Sequence, residues 1–426
     1  VRVLVAVDEP HGSDLARGLE AEGLTVDGVV PASALARAAG EPAASTGGVA
    51  DALADADAVV LEVTRTTLDA AVVAACDRRA VRIVPLSAGP SDDRIAGAFG
   101  LEPALPLGIE AWRLAERLSS PPAVRPSGPA PGSRSTSPAH PRVIAVWGPP
   151  GSPGRSTVAI ELAVELARGG RHVGLVDADS HAPSIALALG LADEAPGFAA
   201  ACRQAELDGL DARELTRISA PLAATGVDVL TGVNRPSRWP ELSGARVEAA
   251  LAACRGWADH TVVDVAASLE RDEEIVSDLD GPRRNAATLA ALRSADLVVA
   301  VASADPLGIS RFLRAHADLR ATIGATPVAV VANRLRPGAL GIDARGQVRR
   351  TLDRFGGVSD VWFVPTDPRA ADAALLAARP IAEVAPRSPI TLALRRFAGE
   401  AVVPAASRGR GIRRSLRRRA PEPALS

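Results

Sequence analysis

Val143-Ile144-Ala145-Val146-Trp147-Gly148-Pro149-Pro150-Gly151-Ser152-Pro153-Gly154-Arg155-Ser156-Thr157 decides how this chain is read. Five consecutive apolar residues suffice for a strand buried on both faces, and a Gly/Pro turn then leads into a helix opening on Arg-Ser-Thr. This is the layout of a phosphate-binding loop, with arginine where the motif has lysine. Gly151 and Gly154 allow successive backbone N–H groups to converge on phosphate oxygens, and Ser156 offers a hydroxyl to magnesium. A helix over 156–168 aims its positive end at the same point. Pro149, Pro150 and Pro153 donate no N–H, so the cradle has fewer donors than usual.

The chain has 426 residues, long enough for two ordinary domains, and 47% hydrophobic with 23% charged residues fits a soluble globular protein. No apolar run approaches the roughly 20 residues that cross a bilayer. Val1–Asp8 reads as a short strand without the apolar core and cleavage site of a signal peptide, so the cytoplasm is the expected location. Cys76, Cys202 and Cys254 lie far apart among helical residues and read as buried free thiols, not as a disulfide framework or zinc site. Lysine, methionine and tyrosine are absent and all 48 basic residues are arginine. A coding bias toward GC-rich codons accounts for this, and it extends to Arg155.

Seven prolines with Ser, Gly and Ala between 119 and 141 cannot form a packed face and read as a semi-extended linker. The expected organisation is a domain over 1–118, the linker 119–141, a larger domain over 142–404 and a disordered tail over 405–426. The tail holds seven arginines and no acid between Arg408 and Arg419. Continuous β-branched runs alternating with helices predict an α/β protein in both domains, each a mostly parallel sheet flanked by helices.

The first domain resembles a degenerate response-regulator receiver. Asp8 and Glu9 stand at that family's acidic pair and Ser87-Ala88 at its Thr/Ser-Ala. Glu62 takes the place of the phosphoacceptor aspartate, and Leu105-Pro106 replaces Lys-Pro. A plain flavodoxin-like domain accounts for the same residues. Protein contacts, not phosphorelay, are the expected use.

In the second domain the loop is followed in order by a strand ending Asp177-Ala178-Asp179, by His260–Val265 with Asp264, and by Leu297–Ser303 leading to Asp305-Pro306. Val328–Ala332 with Asn333-Arg334, Val361–Val364 with Pro365-Thr366-Asp367, and Ala378-Arg379-Pro380-Ile381 complete the series. This collinear series resembles the MinD/ParA group of P-loop ATPases over about residues 142–400. The resemblance implies ATP and Mg2+ as cofactors. It places Gly148, Gly151, Ser152, Gly154, Arg155, Ser156 and Thr157 around the phosphates. Ser156, Asp177 and Asp264 fall on the metal, Asp179 and Arg155 in catalysis, and Asn333, Arg334, Pro365 and Asp367 at the base. Pro150 replaces the family's signature lysine and Arg155 its loop lysine, which leaves hydrolysis open. Arg283 and Arg284 are candidates to supply the missing charge.

The two-domain order resembles the CpaE-like or TadZ-like arrangement. It implies an ATP-dependent homodimerising switch that positions a septum, a chromosome or pilus-secretion machinery, with protein partners on the first domain. The alternative is a non-hydrolysing scaffold. The arginine tail adds attraction to an anionic membrane at the inner face or to nonspecific DNA. Nitrogenase-type reductases are disfavoured by the lack of a cluster-binding cysteine motif, and bacterial tyrosine kinases by the absence of tyrosine.

Overall fold

The computed structural model describes residues 1–40, 49–122, 142–222, 225–271, 283–336 and 343–403. Most of the expected linker, the tail and the segment 272–282 lie outside these residues.

Strands β1 (Arg2–Ala6), β2 (Thr25–Val30), β3 (Ala58–Glu62), β4 (Arg82–Ser87) and β5 (Leu105–Pro106) form a parallel sheet in the order 2-1-3-4-5. That order is flavodoxin-like. Alternate residues serve opposite cores: Leu4, Ala6, Val59 and Leu61 pack on one face, Val3, Val5, Ala58 and Val60 on the other. Both faces carry helices, so the strands read as uninterrupted apolar runs. The acidic residues at this sheet's carboxyl edge are occupied with backbone. Glu62 accepts the Asp8 N–H (3.0 Å), and the Asp8 carboxylate accepts the Ala32 N–H (3.0 Å).

The second sheet has eight strands: β6 (Val143–Trp147), β7 (Val173–Ala178), β8 (Ala220–Leu222), β9 (Val227–Leu230), β10 (His260–Val265), β11 (Leu297–Ser303), β12 (Val328–Leu335) and β13 (Val361–Pro365). Their order is 13-12-11-6-10-7-9-8, parallel except for the edge strand β8. Val143, Ala145 and Trp147 enter one core, while Ile144 and Val146 enter the other. The short pair β8 and β9 has no counterpart among the sequence expectations. β8 is three residues long and contains Pro221, which only an edge strand tolerates.

The helix Arg155–Ala167 is buried from Val158 through Ala167. Two of its buried residues are glutamates with structural tasks. Glu161 accepts the N–H groups of Ile381 (2.6 Å) and Ala382 (2.8 Å), and Glu165 pairs with Arg395 (3.0 Å) on the helix Pro389–Phe397. These contacts hold the C-terminal helices against the helix that opens at the loop.

The two sheets are bridged through the segment that follows β3. Arg65 reaches across to Asp228 on β9 and to the carbonyl oxygens of Thr216 and Ser219. Arg213 donates to Ala98 O (2.6 Å) and lies over the Phe99 ring. Among the described residues no helix is long and apolar enough to cross a membrane.

Candidate functional site

β6 lies between β11 and β10, and the loop after it emerges at the carboxyl ends of these central strands. In open α/β sheets this edge is where ligands bind. Gly151 (φ 111°) and Gly154 (φ 93°) adopt left-handed conformations that other residues enter only with strain. At Gly154 a Cβ would also sit 2.4 Å from Asn333 Nδ2. Asn333, 8% exposed at the end of β12, donates that amide to Pro153 O (2.8 Å). The loop is thus pinned from a strand 180 residues away in sequence. Gly154 in turn precedes the helix Arg155–Ala167, whose first N–H groups face the loop's concavity.

Strand register gathers the carboxylates. Asp264 on β10 pairs with Val146 on β6 and with Asp177 on β7, so the two acids project from adjacent strands at one level. Asp264 is fully buried, and neither carboxylate oxygen has a hydrogen-bond partner among the described residues. Burial, reinforced by the Asp177 charge, pushes its carboxyl well above the usual range; the nearby Ser156 hydroxyl opposes this without closing a well-formed hydrogen bond to either oxygen. Asp177 is engaged with backbone, accepting from Asp179 N (3.2 Å), Ser184 N (2.9 Å) and Ile185 N (3.0 Å). Those bonds hold its carboxyl down, yet burial prevails and it is pushed up to about 6. The Ser156 hydroxyl, bonded to Ser184 Oγ (3.1 Å), stands at the start of the same helix.

An orphaned buried carboxylate beside a second acid and a hydroxyl is a donor set of hard oxygens. It fits Mg2+, which favours such ligands and keeps part of its water shell. Ser156 and Asp264 are the residues that would hold it, while Asp177 is oriented by backbone beside them.

Asp179 accepts the N–H groups of His181 (2.8 Å) and Ala182 (2.9 Å) on one oxygen and faces Arg155 Nη2 (3.4 Å) with the other. Arg155 also donates to Gly148 O (3.1 Å), so its guanidinium lies across the root of the loop. A planar fork of this size tethers where a compact ammonium would project freely. Pro150, Gly151, Ser152 and Thr157 are exposed around the loop.

Of the residues expected at the base, Asn333 is held on the loop itself, and the other three lie at or just after the ends of β12 and β13. Arg334 is exposed with φ 58° at the β12 edge. Asp367 caps the helix Pro368–Ala377 through Ala370 N (3.2 Å), and its other oxygen accepts the Ser388 hydroxyl (2.8 Å). Pro365 ends β13 beside it. Arg284, a candidate charge donor, lies over the Trp239 ring and donates to Pro236 O (3.3 Å).

Sequence reasoning missed Arg311 on the helix Pro306–Ile323. An ideal Cβ on Gly151 would fall 2.2 Å from its Nη1, so this guanidinium rests on the loop.

A family model described as "ParA: NUBPL iron-transfer P-loop NTPase" matches residues 140–224. A crystal structure of a ParA family ATPase from Chlorobium tepidum superposes with a TM-score of 0.51 at 17% identity, covering 61% of this chain and 98% of that one. The eight-stranded half has the ParA-type P-loop NTPase fold. Among curated relatives, the iron-sulfur cluster carrier protein of Pseudomonas fragi is 32% identical over 130 residues, 29% of this chain and 40% of its own length. That of Deinococcus radiodurans is 48% identical over 59 residues, 13% of this chain and 17% of its own length. The chain therefore spans less than half of these carriers, and the flavodoxin-like sheet precedes the ParA-type portion.

The raised carboxyls have a measurable consequence. Glu161 is pushed up to about 7 by burial, against its two backbone donors, and Asp177 to about 6. A carboxyl whose folded pKa exceeds its unfolded value binds its proton more tightly when folded. Its contribution to stability therefore falls as pH rises from about 4 to about 7 and stays lost above. In a metal chelator, unfolding should move to lower temperature between pH 5 and pH 8, by the equivalent of a few kcal/mol at most. A divalent cation with nucleotide should reduce that decline, as thermal melts at each pH would show.

Proposed function

We propose that this chain is an ATP-binding switch of the MinD/ParA type, with Mg2+ and nucleotide at the loop Gly148–Thr157 and ATP favouring a homodimer. The observation that carries this reading is the buried, unpartnered carboxylate of Asp264, level with Asp177 and beneath the loop. Leaving a buried charge unpaired costs several kcal/mol, which makes sense where a ligand completes it. When bound, Mg2+ would neutralise charge on the phosphates.

The chain's own residues supply the remainder. Loop N–H groups and the helix start would bind phosphate oxygens, Asn333 keeps the loop in register, and Asp179 would orient an attacking water. Phosphoryl transfer depends on such positioning and charge stabilisation more than on covalent chemistry. Slow Mg2+-dependent ATP turnover is the expected result, falling roughly 100-fold or more in Asp179→Ala while nucleotide binding is retained. Equal background rates in both proteins, with binding intact, would sink the enzyme reading.

That outcome would favour a non-hydrolysing scaffold. The observation supporting this second reading is that Pro150 carries no charge and Arg155 is tethered to Gly148 O and Asp179. Cluster carriage, the activity named for the curated relatives, finds little support. Cys76, Cys202 and Cys254 are all buried, and burial pushes their thiols up, Cys76 to about 11 and Cys254 to about 12. A cluster needs accessible thiolates.

A two-domain positioning role, as in the CpaE-like arrangement, is supported by the Arg65 bridge. It ties the segment after Glu62 to β9, which neighbours the Asp177 strand. Partner binding on the first domain would thus be felt one strand from Asp177. Septum placement, chromosome partitioning and pilus assembly are the processes this switch would serve.

A further inference from the structure

The loop lacks a free cation of its own. Pro150 stands where a charge is expected, and Arg155 is bonded to Gly148 O and Asp179. A nucleoside triphosphate brings about four negative charges, and arginine is suited to meeting them through its fork of donors. Arg311 lies at that place. From the position of a Cβ on Gly151, its Nη1 is at 2.2 Å, its Cζ at 3.3 Å and its Cδ at 3.8 Å. The side chain therefore lies against the loop at Gly151. Gly151 is the residue that makes room for it.

Arg311 is exposed and has neither hydrogen bond nor ion pair among the described residues. Its backbone is nevertheless well held. Asp305 caps the helix Pro306–Ile323 through Gly308 N (2.9 Å), and Ile309 and Phe312 anchor it in the core. The helix follows β11, the neighbour of β6, and so starts beside the loop. An unpaired guanidinium on a rigid helix, touching the glycine of a phosphate cradle, is preorganised for anion binding.

We propose that Arg311 is a phosphate-binding residue of the nucleotide site, supplying from the helix after β11 the positive charge that Pro150 does not carry. Its ligand class is the terminal phosphates of a nucleoside triphosphate. The proposal rests on the nucleotide-binding reading given above, and the test separates the two.

The test uses the full chain, with fluorescent ATP and ADP analogues titrated in the presence of Mg2+. Arg311→Ala should weaken ATP binding roughly tenfold or more, with a smaller effect on ADP. Arg311→Lys should restore part of the loss. Arg314→Ala is the control, because that arginine lines a groove with Ile309, Leu313 and Phe355 instead of the loop. A stabilising thermal shift with inorganic tripolyphosphate should likewise shrink in Arg311→Ala, which a purely structural role would not produce. Equal ATP affinity in wild type and Arg311→Ala overturns this proposal and leaves the nucleotide reading standing. An equal loss for ATP and ADP overturns its assignment to the terminal phosphates. Failure of the wild type to bind either nucleotide overturns both readings.

Discussion

Replacing Asp264 with asparagine is expected to stabilise the nucleotide-free protein while weakening its hold on Mg·ATP. The carboxylate is fully buried with both oxygens unpartnered, and Asp177 sits opposite it in the register. In the empty site that carboxyl must either carry a desolvated charge beside Asp177 or take up a proton, and asparagine avoids both costs, by about 1–3 kcal/mol. The amide keeps the shape of the side chain but offers one oxygen without charge to a metal or its waters. Nucleotide affinity measured with Mg2+ should fall roughly 10–100-fold. Urea unfolding in chelator and nucleotide titration in Mg2+ should therefore move in opposite directions. If Asp264→Asn loses stability in chelator, the carboxylate has a structural partner and the metal reading fails. Opposed effects of this kind mark residues kept for function at a cost to the fold.

Asp228→Ala should produce the largest loss of stability. One Asp228 oxygen meets the Arg65 guanidinium, and the other lies 2.9 Å from the His172 ring. Burial alone would push this carboxyl up, but the His172 hydrogen bond and the Arg65 charge outweigh it and hold it below the usual range. Alanine would leave the His172 ring nitrogen without its acceptor and remove the charge facing the Arg65 guanidinium, which keeps the Thr216 and Ser219 carbonyls. Breaking one side of a buried pair costs about 3–5 kcal/mol. The side chain of Arg65 is 18% exposed, so part of its hydration can return and the lower end of that range applies. Arg65→Ala should cost less, because Asp228 keeps His172. Arg65→Ala removes that bridge between the sheets whole, whereas Asp228→Ala removes only its ion pair, so limited proteolysis should separate the two sheets more readily in Arg65→Ala. A loss below 1 kcal/mol by urea unfolding would show that the bridge is solvent-mediated and does not couple the sheets.

The Gly/Pro loop after β6 and the strand-end positions of the three aspartates are legible from the chain because each belongs to a local pattern. Asp264 ends an apolar run, His260–Val265, and a carboxylate there must lie at the carboxyl edge of a buried strand. Asp177 and Asp179 end β7 by the same logic. The helix after the loop was equally plain from the Gly/Pro turn and the apolar stretch beyond it. β8 was not, since a three-residue strand with a central proline carries no periodicity. Asn333 and Asp367 were placed by resemblance at the base. The geometry adds what resemblance does not contain: the Asn333 amide is on Pro153 O, and Asp367 caps a helix.

Local pattern therefore determined that two parallel α/β sheets form and which strand ends carry acids. Period-two burial, glycine conformation and proline's missing donor act within a few residues and leave their mark in composition. Which side chains are satisfied was decided only by tertiary structure. Asp177 is oriented by backbone, Asp264 is left bare by strand register, and Arg155 is tied down at the loop's root. Arg311 reaches Gly151 because β11 lies beside β6, although β6's last residue, Trp147, and Pro306, where the helix starts, are 159 positions apart in sequence. Charge compensation depends on distance in space, and a linear pattern carries no record of it.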